Sequence, residues 1–131
     1  MTRPLDLGGR KLVQVALTVR DLDRARAFYR DTLGLSLLFE AAPKMLFFDL
    51  GGMRLLVGQE EQPGSAIGGA CIYFDAPDID ALAAALEAKG IRFLGRAETV
   101  QRTATHELQL RAFRDPDGNA LALMGMVPRA A

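Results

Sequence analysis

The chain has 131 residues and 14.2 kDa, with 16 Lys+Arg balanced by 16 Asp+Glu, one His, one Cys and no Trp. At half hydrophobic and 24% charged it is one domain's worth of globular chain, with no basic footprint for nucleic acid or an anionic membrane. A lone His106 and a lone Cys71 exclude zinc-finger and His-rich metal sites, and no stretch approaches the roughly 18 apolar residues of a membrane span.

Residues 12–19 (LVQVALTV) alternate, with Val13, Val15, Leu17 and Val19 on one face and Gln14, Ala16 and Thr18 on the other. That is the period of a strand with one side on a core. Asp21 is placed to cap a helix whose Leu22, Ala25, Phe28, Tyr29 and Leu33 fall at helical spacing, and Gly34 stops it. LSLLFE, KMLFFDL and MRLLV read as three strands, the last two joined by the hairpin signal Gly51-Gly52. A polar, Gly- and Pro-containing linker runs from Gln59 to Gly69, a connector or a lid.

The order then repeats. CIYFDA alternates, and Asp78 is placed to cap a helix carrying Ile79, Leu82, Ala83 and Leu86, ended by Gly90. IRFLG, THELQLRAF and NALALM read as three strands, the last pair joined by Asp115-Pro116-Asp117-Gly118, good type I turn chemistry. The chain thus reads as βαβββ twice, an α+β fold in one domain over 1–131, with modules at 11–58 and 70–126 and a linker at 59–69. Setting Asp21-Leu22-Asp23 on Asp78-Ile79-Asp80 puts Gln14 in register with Cys71. Setting Gly52 on Gly118 puts Leu56 in register with Ala122.

By alternation, the face away from the helices carries Gln14, Ala16, Thr18, Arg54, Leu56, Cys71, Tyr73, Asp75, Ala120, Ala122 and Met124. In the seventh strand Glu107, Gln109 and Arg111 share one face against Leu108, Leu110 and Ala112. With that polar side turned inward, Glu107, Gln109 and Arg111 join the candidate ligand-binding set. A few polar groups among apolar walls suit a small organic ligand with an anionic or hydrogen-bonding end. Met45, Met53, Met124 and Met126 would add an adaptable lining. His106 is the one side chain that titrates near neutrality unperturbed, and its strand phase is opposite to that of Glu107. Cys71 has no base beside it in sequence and is expected as a small buried hydrophobe rather than a nucleophile.

Two motifs give the repeat a family resemblance. V-x-D-L-D-R-A-x-x-F-Y-R-D-x-L-G-L (Val19 to Leu35) resembles the opening signature of the vicinal oxygen chelate superfamily of glyoxalases, bleomycin-resistance proteins and extradiol dioxygenases. F-R-D-P-D-G-N-x-L-x-L (Phe113 to Leu123) resembles its closing hairpin. The resemblance covers roughly Lys11 to Met126 and implies paired modules forming a curved mixed sheet around a cup, helices on the outer face, commonly in a dimer. In metal-dependent members four cup-facing positions hold one divalent ion. Those positions here are Gln14, Leu56, Cys71 and Ala122, of which Gln14 is a ligand type the family uses and Leu56 and Ala122 have no donor atom.

The expectation is therefore a glyoxalase-like protein with no metal at the usual position and no cofactor, binding a small hydrophobic or aromatic molecule in its cup. The alternative is a glyoxalase-like isomerase or lyase. It would work through His106, Glu107, Tyr73 or Asp75 as acid–base groups, or through a metal relocated to carboxylates such as Glu107 and Asp75. A homodimer, no nucleic-acid or membrane partner, and a cytoplasmic location complete the expectation, the last from the single Cys and an N-terminus without an apolar targeting segment.

Overall fold

The alternation in residues 12–19 becomes β1 (Gln14–Val19) in a computed structural model that describes residues 9–10, 12–60 and 71–129. Helix α1 (Leu22–Arg26) follows, continued by a π-helical segment (Ala27–Thr32), then β2 (Leu37–Ala41), β3 (Met45–Asp49) and β4 (Arg54–Gln59). The second half gives β5 (Cys71–Asp75), α2 (Ile79–Ala88), β6 (Glu98–Arg102), β7 (His106–Arg114) and β8 (Ala120–Pro128). Two four-stranded mixed sheets result, ordered β1-β4-β3-β2 and β5-β8-β7-β6. In each, the first strand pairs parallel with the last and the remaining pairs are antiparallel. The register reproduces the repeat: Gln14 stands opposite Arg54 as Cys71 stands opposite Ala120, and Ala16 opposite Leu56 as Tyr73 opposite Ala122.

The local signals explain most of these elements. Asp21 caps α1 by accepting the Arg24 N–H at 3.1 Å. Gly51 and Gly52 both take positive φ, as the tight β3–β4 hairpin requires, and Leu50 and Met53 close it. The Asp115 carbonyl accepts the Gly118 N–H at 3.0 Å, closing the β7–β8 turn.

Three expectations change. The sixth strand is Glu98–Arg102 rather than IRFLG. Residues 91–95 instead tuck Ile91 into the core and set Phe93 edge-on to Phe113 at 5.4 Å, so their alternation serves packing without a ladder. Asp78 precedes α2 but its side chain makes no capping hydrogen bond, and its carbonyl accepts the Leu82 N–H instead. Gln59 belongs to β4, where its Oε1 accepts the Leu22 N–H at 3.2 Å, and the rest of the expected linker lies outside the described residues apart from Glu60.

One hydrophobic cluster joins the modules, with Leu17, Val19, Phe48 and Val57 from the first and Ile79, Leu86, Phe113 and Leu121 from the second. A polar clamp, buried except for Arg24, crosses the junction. Tyr29 Oη donates to Asp115 Oδ2 at 2.9 Å, Asn119 Nδ2 donates to the Thr18 carbonyl at 2.9 Å, and Arg24 pairs with Asp117 at 2.6 Å. Burial, with the charge of Asp115 and its hydrogen bond, drives the Tyr29 pKa well above the ordinary tyrosine range, so this phenol stays a donor. Gly125 marks a second tight fit: a Cβ there would lie 1.8 Å from the Ala76 carbonyl oxygen, which only glycine avoids.

Candidate functional site

Residues directly opposite across a ladder share a face, so the register lays out the floor of each half-cup in rows about 6.7 Å apart. On the first module the rows are Gln14–Arg54–Asp49, then Ala16–Leu56–Phe47–Phe39, then Thr18–Gly58–Met45–Ala41. On the second they are Cys71–Ala120–Arg114, then Tyr73–Ala122–Ala112, then Asp75–Met124–Leu110–Glu98. Met126, Leu108 and Gln101 follow, and His106 closes the floor opposite Pro128. The opposite faces carry Leu17, Val19, Leu55, Val57, Leu121 and Leu123, all buried in the core under the helices.

This layout puts Gln14, Thr18, Arg54, Leu56, Cys71, Tyr73, Asp75, Ala122 and Met124 on the floor side, as the alternation predicts. It reverses β7. Glu107, Gln109 and Arg111 stand opposite Val127, Gly125 and Leu123, on the helix side, while Leu108, Leu110 and Ala112 face the cup. The reason is local. The Arg111 guanidinium packs over Phe93 at 4.5 Å and pairs with Glu87 of α2 at 3.3 Å. Glu107 pairs with Arg102 at 3.1 Å and accepts from Thr99 at 3.2 Å. The helix side of β7 therefore supplies polar partners that the cup side lacks.

The titratable groups separate accordingly. Desolvation pushes the Glu107 pKa up, but hydrogen bonds from Gln109 and Thr99 and the charges of Arg102 and Arg129 outweigh it, leaving the carboxyl below its ordinary range. It is an engaged anion on the wrong face for cup chemistry. His106 is on the cup side, its Nδ1 2.8 Å from Thr105 Oγ1, so the two residues do not act as a pair. Tyr73 is half exposed. Hydrogen bonding to Cys71, then the negative charge of that group in its thiolate form, then desolvation raise its pKa, so it stays protonated at neutral pH. Cys71 is exposed, not the buried hydrophobe expected, because β5 is an edge strand and its first floor row opens outward.

Cavities among the described residues border these faces. One of about 820 Å³ lies on the first-module floor, walled by Ala16, Thr18, Met45, Leu56 and Gly58, with Lys44 and Glu60 at its end. A second of about 600 Å³ opens between β5 and the β3–β4 hairpin, touched by Cys71, Tyr73, Asp75, Asp49 and Met53. A third of about 190 Å³ lies on the helix side between Leu33, Leu82 and Phe113. Missed by the sequence reading are Phe39 and Phe47, stacked at 4.4 Å with 18° between planes, and the Arg54 guanidinium 5.7 Å from the Phe47 centroid. The run Leu46-Phe47-Phe48 is apolar throughout, so alternation could not tell which of its members faces the cup.

The donor set at the four inherited ligand positions does not fit a divalent ion. Leu56 and Ala122 are hydrocarbon, leaving one amide and one thiol where an open site needs about three protein ligands. Arg54, directly opposite Gln14, adds a cation where a dication would sit. Among the described residues no three of His, Cys, Asp and Glu converge to hold a metal. Glu107 and Asp75, invoked for a relocated ion, lie on opposite sides of their sheet.

Comparison with known proteins agrees with the fold. Residues 11–123 match the model of the Glyoxalase/Bleomycin resistance protein/Dioxygenase superfamily. The uncharacterized protein YraH of Bacillus subtilis strain 168 is 26% identical over 130 residues, covering 89% of this chain and 99% of that one. The crystal structure of lactoylglutathione lyase from Agrobacterium tumefaciens superposes with a TM-score of 0.71 at 25% identity, over 90% of this chain and 95% of that one. A glyoxalase-family protein from Bacillus anthracis superposes with a TM-score of 0.74 at 19% identity, over 98% and 100% of the two chains.

Proposed function

The chain belongs to the Glyoxalase/Bleomycin resistance protein/Dioxygenase superfamily, and we propose that it binds a small hydrophobic or aromatic molecule in its cup without a metal at the usual position. The observation that carries this reading is the first-module floor. A cavity of about 820 Å³ is walled there by hydrocarbon and a few polar groups, within the usual size of a ligand site, while the inherited metal positions lack donors. The proposed ligand contacts are Gln14, Thr18, Arg54 and Leu56 on that floor and Cys71, Tyr73, Asp75, Ala122 and Met124 on the other. We assign Gln109 and Arg111 no ligand role, since both stand on the helix side.

The proposed assembly is a homodimer in the cytoplasm that brings floors of two chains together. Its support is that Phe39, Tyr73 and Met126 stand exposed on the floor faces, apolar surface of the kind that marks an interface. No helix among the described residues is long and apolar enough to cross a membrane.

Titration with the apolar fluorophore N-phenylnaphthylamine tests the binding reading. The expected result is saturable enhancement at one site per chain, unchanged by EDTA and lost in Ala16→Trp, which fills the floor from an exposed position. Absence of binding, or binding restored only by added divalent metal, would overturn it. An enzymatic reading retains one asset, the cup-side position of His106, which is suited to proton transfer. It predicts turnover of a bound ligand that disappears in His106→Ala while binding persists.

A further inference from the structure

The charges on the first-module floor select a ligand class. Resting on the reading of that floor as a small-molecule site, we propose that the ligand is an organic monoanion with an apolar or aromatic body. Its head is received by Arg54 and Gln14, and its body lies along Ala16, Leu56 and Phe47.

Arg54 and Gln14 are direct neighbours on adjacent parallel strands and share the floor face. A guanidinium offers five N–H donors in a planar fork and a carboxamide two more, a set that matches a carboxylate or similar anionic head. The fork is also held in place. Its carbon lies 5.7 Å from the centroid of Phe47, and Phe47 is backed by the stacked ring of Phe39, so the cation leans toward the hydrocarbon row. No hydrogen bond among the described residues takes up a guanidinium N–H donor of Arg54.

Arg24, Arg26, Arg102 and Arg111 are each ion-paired, whereas among the described residues no carboxylate forms an ion pair with Arg54. Its cross-strand neighbour Asp49 accepts the Gly52 N–H at 3.3 Å within the hairpin instead. The Ala16–Leu56 row beside Arg54 walls the cavity of about 820 Å³, whose charged groups Lys44 and Glu60 are of opposite sign, so Arg54 is the cation that sets the charge preference next to that row. The adjoining row, Ala16–Leu56–Phe47, presents no polar side chain, which suits a hydrocarbon body. A cationic amine would meet Glu60 only at the end of the cavity, away from the Gln14–Arg54 row.

Calorimetric titration with naphthylacetate, neutral naphthylacetamide and cationic naphthylethylamine at low salt tests the class. A charge-assisted hydrogen-bonded head predicts that the carboxylate binds about tenfold to a hundredfold tighter than the amide. Arg54→Met, at an exposed position, should weaken the carboxylate far more than the amide and so erase that ratio, and Arg54→Lys should keep part of it. Equal carboxylate and amide affinities, or tightest binding of the amine, would overturn the anion assignment. If those equal affinities vanish in Ala16→Trp, the floor stands as a site while the class falls. If no probe binds the wild-type protein, both fall.

Discussion

Replacing Tyr29 by Phe isolates one bond of the clamp between the modules. The ring is fully buried, edge-on to Phe28 at 5.2 Å and tilted against Phe48 at 5.9 Å, and phenylalanine keeps both contacts without opening a cavity. What is lost is the 2.9 Å hydrogen bond to Asp115 Oδ2. Bonds to charged acceptors contribute roughly 1.5–3 kcal/mol. Asp115 Oδ2 keeps the Asn119 Nδ2 donor at 2.8 Å, so the lower end applies, about 1.5–2 kcal/mol. For a chain of this size that lowers Tm by roughly 5–8 °C. Because the folded-state pKa of Tyr29 is raised, its contribution is complete below the ordinary tyrosine value of about 10 and is lost as pH rises beyond it. The stability gap between wild type and Tyr29→Phe should therefore narrow in strong alkali. Thermal unfolding followed by circular dichroism at neutral and alkaline pH measures both effects. A loss below about 0.5 kcal/mol, or a gap that does not change with pH, would refute the clamp.

Three further outcomes follow from the same geometry. Gly125→Ala places a methyl against the Ala76 carbonyl at the 1.8 Å approach, so stability should fall by about 3 kcal/mol or more in a denaturant melt, and a near-neutral result would contradict that close fit. Arg111→Met removes a helix-side cation, so affinity for naphthylacetate should stay within about twofold by calorimetry. A loss comparable to that of Arg54→Met would show that β7 is turned the other way. Glu107 has a depressed pKa, so its contribution is complete above the ordinary glutamate value of about 4.3 and is lost as pH falls through its folded value. Acid unfolding of Glu107→Gln should consequently show a shallower decline than wild type between neutral and strongly acid pH.

The repeat was the most legible property of this chain because it is written twice in the same punctuation. Asp21, Gly34 and Gly51-Gly52 in the first half, and Gly90 and the Asp115–Gly118 turn in the second, bound the elements where local backbone chemistry demands. Aligning the halves set Gln14 with Cys71 and Leu56 with Ala122, and the registers of β1 on β4 and β5 on β8 keep those equivalences. What alternation could not provide was the sign of a face whose burial depends on tertiary partners. In β7 the polar residues Glu107, Gln109 and Arg111 read as cup-facing, yet Glu87, Phe93, Arg102 and Thr99 meet them on the other side. IRFLG looked like a strand for the same reason, since its apolar pattern serves packing against Phe113 without a ladder. Asp78 has the right residue type for a cap, but its backbone at φ −98° and ψ 43° leaves the first turn to a carbonyl. The aromatic pair Phe39–Phe47 lay hidden in a run with no polar residue to mark the phase.

A crystal structure of the protein grown with naphthylacetate tests the central claim most directly, that the first-module floor is a metal-free small-molecule site. The account predicts the aromatic body over Leu56 and Phe47, the carboxylate within hydrogen-bonding distance of Arg54, and no metal beside Gln14. A ligand seated in the helix-side cavity by Phe113, or a divalent ion held by Gln14 and Cys71, would contradict it.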